Sequence, residues 1–384
     1  MIIRKGYRFK LSPTVAQAEL FAQFSGTTRF VWNRALDLQK KAFGSKQKFL
    51  NYSELCKRLV NWKSEFAFLK EVHSQPLQQS LKDLSRAWSE GVTGVKGLPK
   101  FKKKGKHDTF RFPQGVKIDN KRIYLPKIGW VKFRKSQEIE GTIKNVTLTR
   151  YLGSWFVSIQ VEMDATEPVH PSMTEIGIDM GVVRFATISD GTFLAPINSF
   201  KRAKEKLAKA QKKLSKKQKF SSNWKKQLSK VQRIHAKVAN VRKDYLHKHT
   251  TDISKNHAVI VLEDLKVKNM SATAKGTIED PGKNVKAKSG LNRAILDQSW
   301  YEFRRQLEYK QTWRGGKVIA VNPAFTSLGC SVCHNKDKKN REEQAIFKCV
   351  ACGYEDHADV NAAKNILAAG QAVRACGDIK RVAA

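Results

Sequence analysis

The feature that most restricts the fold of this chain is a pair of cysteine knuckles near its end. Cys330-Ser-Val-Cys333 and Cys349-Val-Ala-Cys352 are two C-x2-C units with fifteen residues between them. Four thiolates at this spacing suit one tetrahedral Zn²⁺ with every position filled by protein, so the metal is structural. Gly353, directly after the second pair, permits the tight turn that a knuckle needs. His334 and His357 lie close by, but four thiolates already complete a site; Cys56 and Cys376 are isolated. Six cysteines in 384 residues do not make a disulfide scaffold, and their clustering points to a reducing compartment. A ribbon is only a small part of such a chain, because 384 residues correspond to two or three domains at roughly 150 residues each.

Charge narrows the function. Lys plus Arg number 73 against 34 Asp plus Glu, a formal net charge of +39. A compact chain so charged repels itself unless a polyanion neutralises it, which makes nucleic acid the expected partner. A membrane surface fits less well: no apolar run approaches the roughly 18 residues of a spanning helix. Met1-Ile-Ile-Arg-Lys5 has no apolar signal core, so a cytoplasmic, nucleoid-associated location is expected. The cations are concentrated. Residues 201–250 hold 18 Lys and Arg against only Glu205 and Asp244, with Leu207, Leu214, Val231 and Val238 at helical spacing. That pattern predicts two long basic helices broken near Ser221-Ser222. Lys100, Lys102, Lys103 and Lys104 surround Phe101 in a basic loop and are candidate phosphate contacts.

Periodicity gives the outline. Residues 2–11 alternate as a strand, and Ser12-Pro13 reads as the cap and first position of a helix. Helical spacing then continues to about Gly91, predicting a bundle of about four helices. Beyond Gly97 come short alternating runs at Thr109–Phe112, Val116–Ile118, Arg122–Leu125 and Trp130–Phe133, then a hairpin turned at Leu152-Gly153. Strands at this spacing suggest a small β-barrel, with the bundle inserted after its first strand. A linker, 164–174, leads to Ile176-Gly-Ile-Asp179, to a run turned at Asp190-Gly191, and to the fully apolar Ala258–Leu262. Residues 271–290 read as a mobile Gly/Lys/Ser-rich loop, followed by one helix over about 291–313 and a strand at Lys317–Val321. The Ala/Gly-rich stretch after Leu367 carries no assigned role.

Three acids stand where acids are locally unwelcome. Asp179 and Glu263 each end an apolar strand, and Asp359 opens the helix Val360-Asn-Ala-Ala-Lys-Asn-Ile-Leu367. Carboxylates at the ends of adjacent parallel strands converge at one sheet edge. A third from a helix start would complete a cluster that calls for divalent metal, and two Mg²⁺ about 3.5–4 Å apart suit phosphodiester cleavage. Taken singly, Asp359 also reads as an N-cap and Glu263 as a strand-end ion pair.

Gly177-Ile-Asp179-Met-Gly181, Phe185–Gly191, Val261-Leu-Glu263-Asp-Leu265, Asn322-Pro-Ala-Phe-Thr-Ser327, the four cysteines and Asp359-Val-Asn-Ala-Ala-Lys-Asn-Ile366 together resemble TnpB, the OrfB-type protein of insertion sequences. Arg29-Phe-Val-Trp-Asn33 and Ser74-Gln-Pro-Leu-Gln78 extend the likeness over nearly the whole chain. The resemblance implies an RNA-guided DNA endonuclease related to the compact type V CRISPR nucleases. It implies a multi-domain α+β fold: a wedge-like β-barrel (1–11 and 95–170), a helical recognition domain (12–94), a RuvC domain of RNase H-like fold (171–327 and 356–372), an inserted zinc ribbon (328–355) and a tail (373–384). Asp179, Glu263 and Asp359 become its catalytic triad, with two Mg²⁺ as cofactors beside the one structural Zn²⁺. Its partners would be a guide RNA, one protein chain per RNA, and a double-stranded DNA target carrying a short adjacent motif. Gln75, Gln78 and Gln79 start a helix, and Gln can read an adenine edge, so they are candidate readers of that motif. The likeness departs at Ala358, where relatives often carry Arg, and Asp356 is a nearby alternative acid. A strand-transfer transposase fits less well, since its acids run Asp, Asp, Glu. A guided binder without cleavage would have lost an acid, a junction resolvase lacks a place for the ribbon, and a plain RNA-binding protein leaves the acids unexplained.

Overall fold

The computed structural model describes residues 2–106, 108–164, 167–341 and 343–382, with side chains described as far as Cys376. The chain divides into two compact units, Met1–Thr166 and Glu167–Ala384. Among the described residues no helix is long and apolar enough to cross a membrane.

The first unit joins a sheet to a helical layer. Strand β1 (Ile2–Ser12) is followed by helices α1 (Val15–Gly44), α2 (Tyr52–Glu65), α3 (Phe68–Glu71) and α4 (Ser74–Val92). Six strands follow: β2 (Thr109–Phe112), β3 (Lys117–Asp119), β4 (Arg122–Leu125), β5 (Gly129–Phe133), β6 (Thr142–Tyr151) and β7 (Ser154–Asp164). They form one sheet in the order β2-β6-β7-β1-β5-β4-β3. β1 pairs with β7 over most of its length and with β5 at Leu11 and Ser12, so it changes partner midway. The end strands β2 and β3 do not pair with each other, so the sheet of the expected barrel is present without ladder closure. Alternation decides which face is buried: Tyr7, Phe9 and Leu11 enter the core with Val157, Ile159, Phe21 and Phe24. The cap of α1 differs from the sequence reading. Ser12 is still in the ladder opposite Lys132, and Thr14 caps the helix in a capping box with Gln17.

The second unit is built on a mixed sheet. Its strands are β8 (Glu175–Asp179), β9 (Ala186–Ile188), β10 (Phe193–Leu194), β11 (Val259–Glu263) and β12 (Lys317–Val321), in the order β10-β9-β8-β11-β12. The first three form an antiparallel meander, and β8, β11 and β12 run parallel. Every residue of β11 is buried, as a central parallel strand requires. Between β10 and β11 lie the basic helices α5 (Ser199–Ser215) and α6 (Ser222–Asn256), the latter capped by the Ser221 hydroxyl. Helices α7 (Val267–Met270), α8 (Val285–Gln298) and α9 (Trp300–Arg314) fill the next crossover. The expected single helix over 291–313 is thus two helices, broken at Ser299, whose φ of 59° lies outside helical geometry. The first of them begins inside the expected loop.

Strands β13 (Ile346–Lys348) and β14 (Glu355–His357) pair in the cysteine region, and α10 (Ala358–Val382) runs back over the sheet. The stretch read as a tail therefore continues the helix, as its alanines favour. Two glycines let α10 lie against the strands. A Cβ on Gly177 of β8 would stand 2.1 Å from the Ala363 carbonyl oxygen, and one on Gly370 of α10 would stand 2.4 Å from Val261 Cγ2 of β11.

Candidate nuclease site and cysteine ribbon

The parallel strands β8 and β11 end at the same sheet edge, in register as neighbours, so Asp179 and Glu263 emerge side by side. Helix α10 brings Asp359 to the same place. All three carboxylates line one pocket of about 350 Å³, together with Arg184, Thr326 and Arg341. Burial comes first, and then the charges of Glu263 and Asp359, in pushing the Asp179 carboxyl up to about 7. Arg341 and the Met180 amide pull the other way. Glu263 is 8% exposed, and burial raises its carboxyl too, offset in part by the Thr326 hydroxyl, which donates to Oε1 at 2.6 Å. Arg341 Nη2 donates to Asp359 Oδ1 at 3.3 Å.

The neighbouring acids are held elsewhere. Asp356 accepts from Lys364 Nζ at 2.7 Å and from the Tyr354 hydroxyl at 2.7 Å. Asp264 is drawn outward by Lys266 and by Arg304. Ala358, the departure from the family pattern, is fully buried in the cluster of Phe347, Cys330 and Cys349. The two asparagines of the last motif act as latches. Asn361 donates to the Gly329 carbonyl and accepts from the Ser331 amide; Asn365 donates to the carbonyls of Thr326 and Gly329. Helix α10 therefore carries both Asp359 and, on Asn361 and Asn365 one turn apart, the grip on the segment that positions Thr326.

The cysteines converge as their spacing predicts. Ligand atoms of Cys330, Cys333, Cys349 and Cys352 all lie within 4.8 Å of one another, the one such group of three or more among the described residues. Cys330 and Cys352 sulfurs are 3.7 Å apart, and Cys333 and Cys349 sulfurs 3.5 Å. Tetrahedral zinc with Zn–S of about 2.3 Å implies sulfur separations of about 3.8 Å, so the donor set fits that ion. Backbone N–H groups of Cys352 and Ala351 pull the Cys349 thiol down, while Cys333, Cys349 and Cys330 push the Cys352 thiol up, so without metal the sulfurs share their protons unequally. The two knuckles repeat one turn. Gly353 has φ of 72° and donates to the Cys349 carbonyl; His334 has φ of 61° and donates to the Cys330 carbonyl. Buried Asn340 ties them together, donating to Leu328 and Asn335 carbonyls and accepting from the Val350 amide. His357 is engaged away from the sulfurs, accepting from the Asp359 amide and packing on Phe193.

The nucleic-acid candidates of the first unit separate into two sets. Lys100, Lys103 and Lys104 are exposed. Lys102 instead lies over the Trp32 ring at 3.6 Å, and burial lowers its amine to about 8. It lines a pocket of about 190 Å³ that Gln79, Asp83 and Arg111 also line. Gln78 is exposed, while Gln75 Oε1 is buried without a hydrogen-bond partner.

Sequence reasoning missed Thr326, Arg341 and Arg184. Thr326 lay within a motif already singled out, but nothing local tied its hydroxyl to Glu263. Arg184 stacks on Phe193 at 3.7 Å, and its Nη1 is buried with no hydrogen-bond partner.

These features define a class: an α+β protein with a mixed sheet, a three-carboxylate pocket and a four-cysteine ribbon. In fold it is similar to a structure titled "Cryo-EM structure of the Cas12f1-sgRNA-target DNA complex", with a TM-score of 0.57 and 14% identity, covering 95% of this chain and 98% of that one. Family models match at residues 158–274 ("Probable transposase"), 300–366 ("Cas12f1-like, TNB domain") and 1–48 ("Helix-turn-helix domain"). In the last span the structure has β1 and the single helix α1. The chain is 52% identical over 379 residues to "Putative RNA-guided DNA endonuclease InsQ" of Escherichia coli (strain K12), covering 98% of this chain and 94% of that protein. It is 33% identical to a protein of Streptomyces pristinaespiralis bearing the same general name, over 98% of this chain and 92% of that one. The chain belongs to this family, the TnpB or OrfB-type proteins of insertion sequences.

Proposed function

We propose that this protein is an RNA-guided DNA endonuclease encoded by an insertion sequence, and that Asp179, Glu263 and Asp359 form its hydrolytic site. The observation that carries the reading is the meeting of three acids in one pocket of a chain whose net charge is +39. The mixed sheet, a meander extended by parallel strands, supports the RuvC assignment with its RNase H-like fold. The cysteine cluster supports a structural Zn²⁺.

Three carboxylates around one pocket are the donor set of a hard divalent cation, so Asp179, Glu263 and Asp359 are the residues that would hold Mg²⁺. Held there, a divalent metal pair would supply an activated water and charge neutralisation at the phosphate. The chain's own groups do the positioning. Thr326 fixes the Glu263 carboxylate, and Arg341 fixes Asp359 from the ribbon side. Arg184, held flat on Phe193 with a free buried N–H, is placed to donate to a phosphate oxygen of the strand in the pocket.

Binding falls to other surfaces. The α5–α6 cations and Lys100, Lys103 and Lys104 neutralise guide and target phosphates. Gln79, beside Lys102 and Arg111, is the strongest of the three glutamines for reading the adjacent motif, because it lines a pocket. The test is cleavage by protein purified with RNA transcribed from its own element. Wild type should cut a guide-matched duplex in Mg²⁺, and Asp179→Ala should bind RNA and target without cutting. A joined product in place of cut ends would favour the transposase that the family description names.

A further inference from the structure

Beside the carboxylate pocket lies a second cavity, of about 740 Å³. It opens along the segment that follows β11 and is closed on the far side by α9. Its apolar wall is Met180, Leu265, Val267 and Trp300. Glu263 lines both cavities, and Met180 directly follows Asp179, so the two spaces adjoin at Glu263.

The chemistry of this wall does not suit a phosphate. Asp264 and Glu308 already engage Arg304, and Glu302 engages Arg305, so those guanidiniums are neutralised locally. What remains is flat and apolar. Trp300 is 3% exposed, and its indole N–H is buried with no hydrogen-bond partner. Tyr301, at the edge of the same cavity, is 73% exposed, so its ring is open to a planar partner. Lys268 at the rim is exposed and has no ion pair among the described residues. An aromatic face, an apolar floor and one free cation at the rim are the parts of a platform for an unstacked base with its phosphate outside.

We propose that this cavity receives a nucleobase of the strand being cut, the nucleotide next to the phosphate held at Asp179, Glu263 and Asp359, with Tyr301 as its stacking face. The inference rests on the nuclease reading, and it adds a substrate subsite. A base in the cavity must be unpaired, so the subsite would bind single-stranded DNA at this point and would reject intact duplex. It acts on binding and register, with no part in the chemical step.

The experiment uses guide-loaded full-length protein and a target duplex with 2-aminopurine walked through the positions around the cut. Unpaired positions should brighten on leaving the duplex stack while one stays quenched on binding, and that quenching should vanish in Tyr301→Ala and in Val267→Trp, which narrows the cavity. In cleavage assays Tyr301→Ala should raise KM about tenfold with kcat within about twofold, the signature of lost uniform binding. An abasic residue at the quenched position should do the same, and combining the two should add little. Should Val267→Trp fail to fold, Tyr301→Ala decides alone, since its ring is exposed. Absence of any position whose fluorescence depends on Tyr301 overturns the proposal, as does an abasic scan with no effect on KM. Quenching without cutting by wild type would overturn the nuclease reading and leave the base site standing.

Discussion

Gly177 offers the sharpest test of how the fold sets the site. It lies two residues before Asp179 on β8, where α10 crosses the strand. A methyl added there would meet the Ala363 carbonyl oxygen at 2.1 Å, the Leu367 amide nitrogen at 2.6 Å and Leu367 Cβ at 2.9 Å. Two of these are backbone atoms, so no rotamer change relieves the clash. Ordinary contact begins at about 3.5 Å, so Gly177→Ala must push the helix off the strand by about 1 Å or more. Overpacking of this kind costs about 1–3 kcal/mol, or about 4–8 °C in melting temperature at the midpoint for a unit of this size. Ala363 is one turn along α10 from Asp359, so the same displacement moves that carboxylate away from Asp179 and Glu263. A misplacement of about 1 Å can cost about a hundredfold in rate. Thermal melts and single-turnover cleavage on guide-loaded protein read both effects. Gly6→Ala on β1, where nothing lies within 4 Å, is the control and should be silent. Gly370→Ala meets the Val261 side chain first, so adding Val261→Ala should relieve the two shortest contacts, whereas no side-chain truncation should rescue Gly177→Ala. A Gly177→Ala protein that melts within about 1 °C of wild type and cuts within about twofold would refute this account of the packing.

The remaining expectations follow from the same geometry. Asp179→Ala, Glu263→Ala and Asp359→Ala should each abolish cleavage and spare RNA binding, with double variants little worse than single ones; Asp190→Ala, in a turn, and Asp356→Ala, tied to Lys364, should keep most activity. Because burial and its neighbours hold Asp179 near 7, well above the ordinary 3.8, the folded state binds a proton more tightly than the unfolded chain. Metal-free protein should therefore lose stability as pH rises from about 4 to about 7, and melts across that range should show a smaller loss in Asp179→Asn. Cys349→Ser with Cys352→Ser should remove zinc by elemental analysis and loosen the ribbon while the sheet of the first unit stays folded. Gly353→Val should destabilise the ribbon by about 1–2 kcal/mol through its positive φ, whereas His334→Gly, at the matching turn of the other knuckle, should cost nothing.

The parts of this site that were legible in sequence are those where a residue contradicts its surroundings. Asp179 and Glu263 stand out because each ends a strand that is otherwise apolar, and the strands are apolar because both faces are covered. The cysteines stand out by spacing alone. What could not be read is chemistry supplied from far along the chain. Thr326 is 63 positions from the Glu263 it orients, and Arg341 reaches Asp359 from within the ribbon. The break at Ser299 was hidden because Leu296, Trp300, Phe303 and Leu307 keep helical spacing across it, whereas the structure buries Ile295 and leaves Leu296 exposed. Gly177 shows the same limit from the other side. Its place in Gly-Ile-Asp was visible, but its reason is a helix that arrives from the end of the chain and needs a strand without a side chain to lie on. That contact also explains why one helix bears Asp359, Asn361 and Asn365 together. Docking α10 on Gly177 sets the carboxylate, and the two asparagines then hold the segment from Thr326 to Ser331 against it. Because α10 carries both the carboxylate and the latches, a change that lifts it should displace Asp359 and weaken the Thr326 bond to Glu263 together.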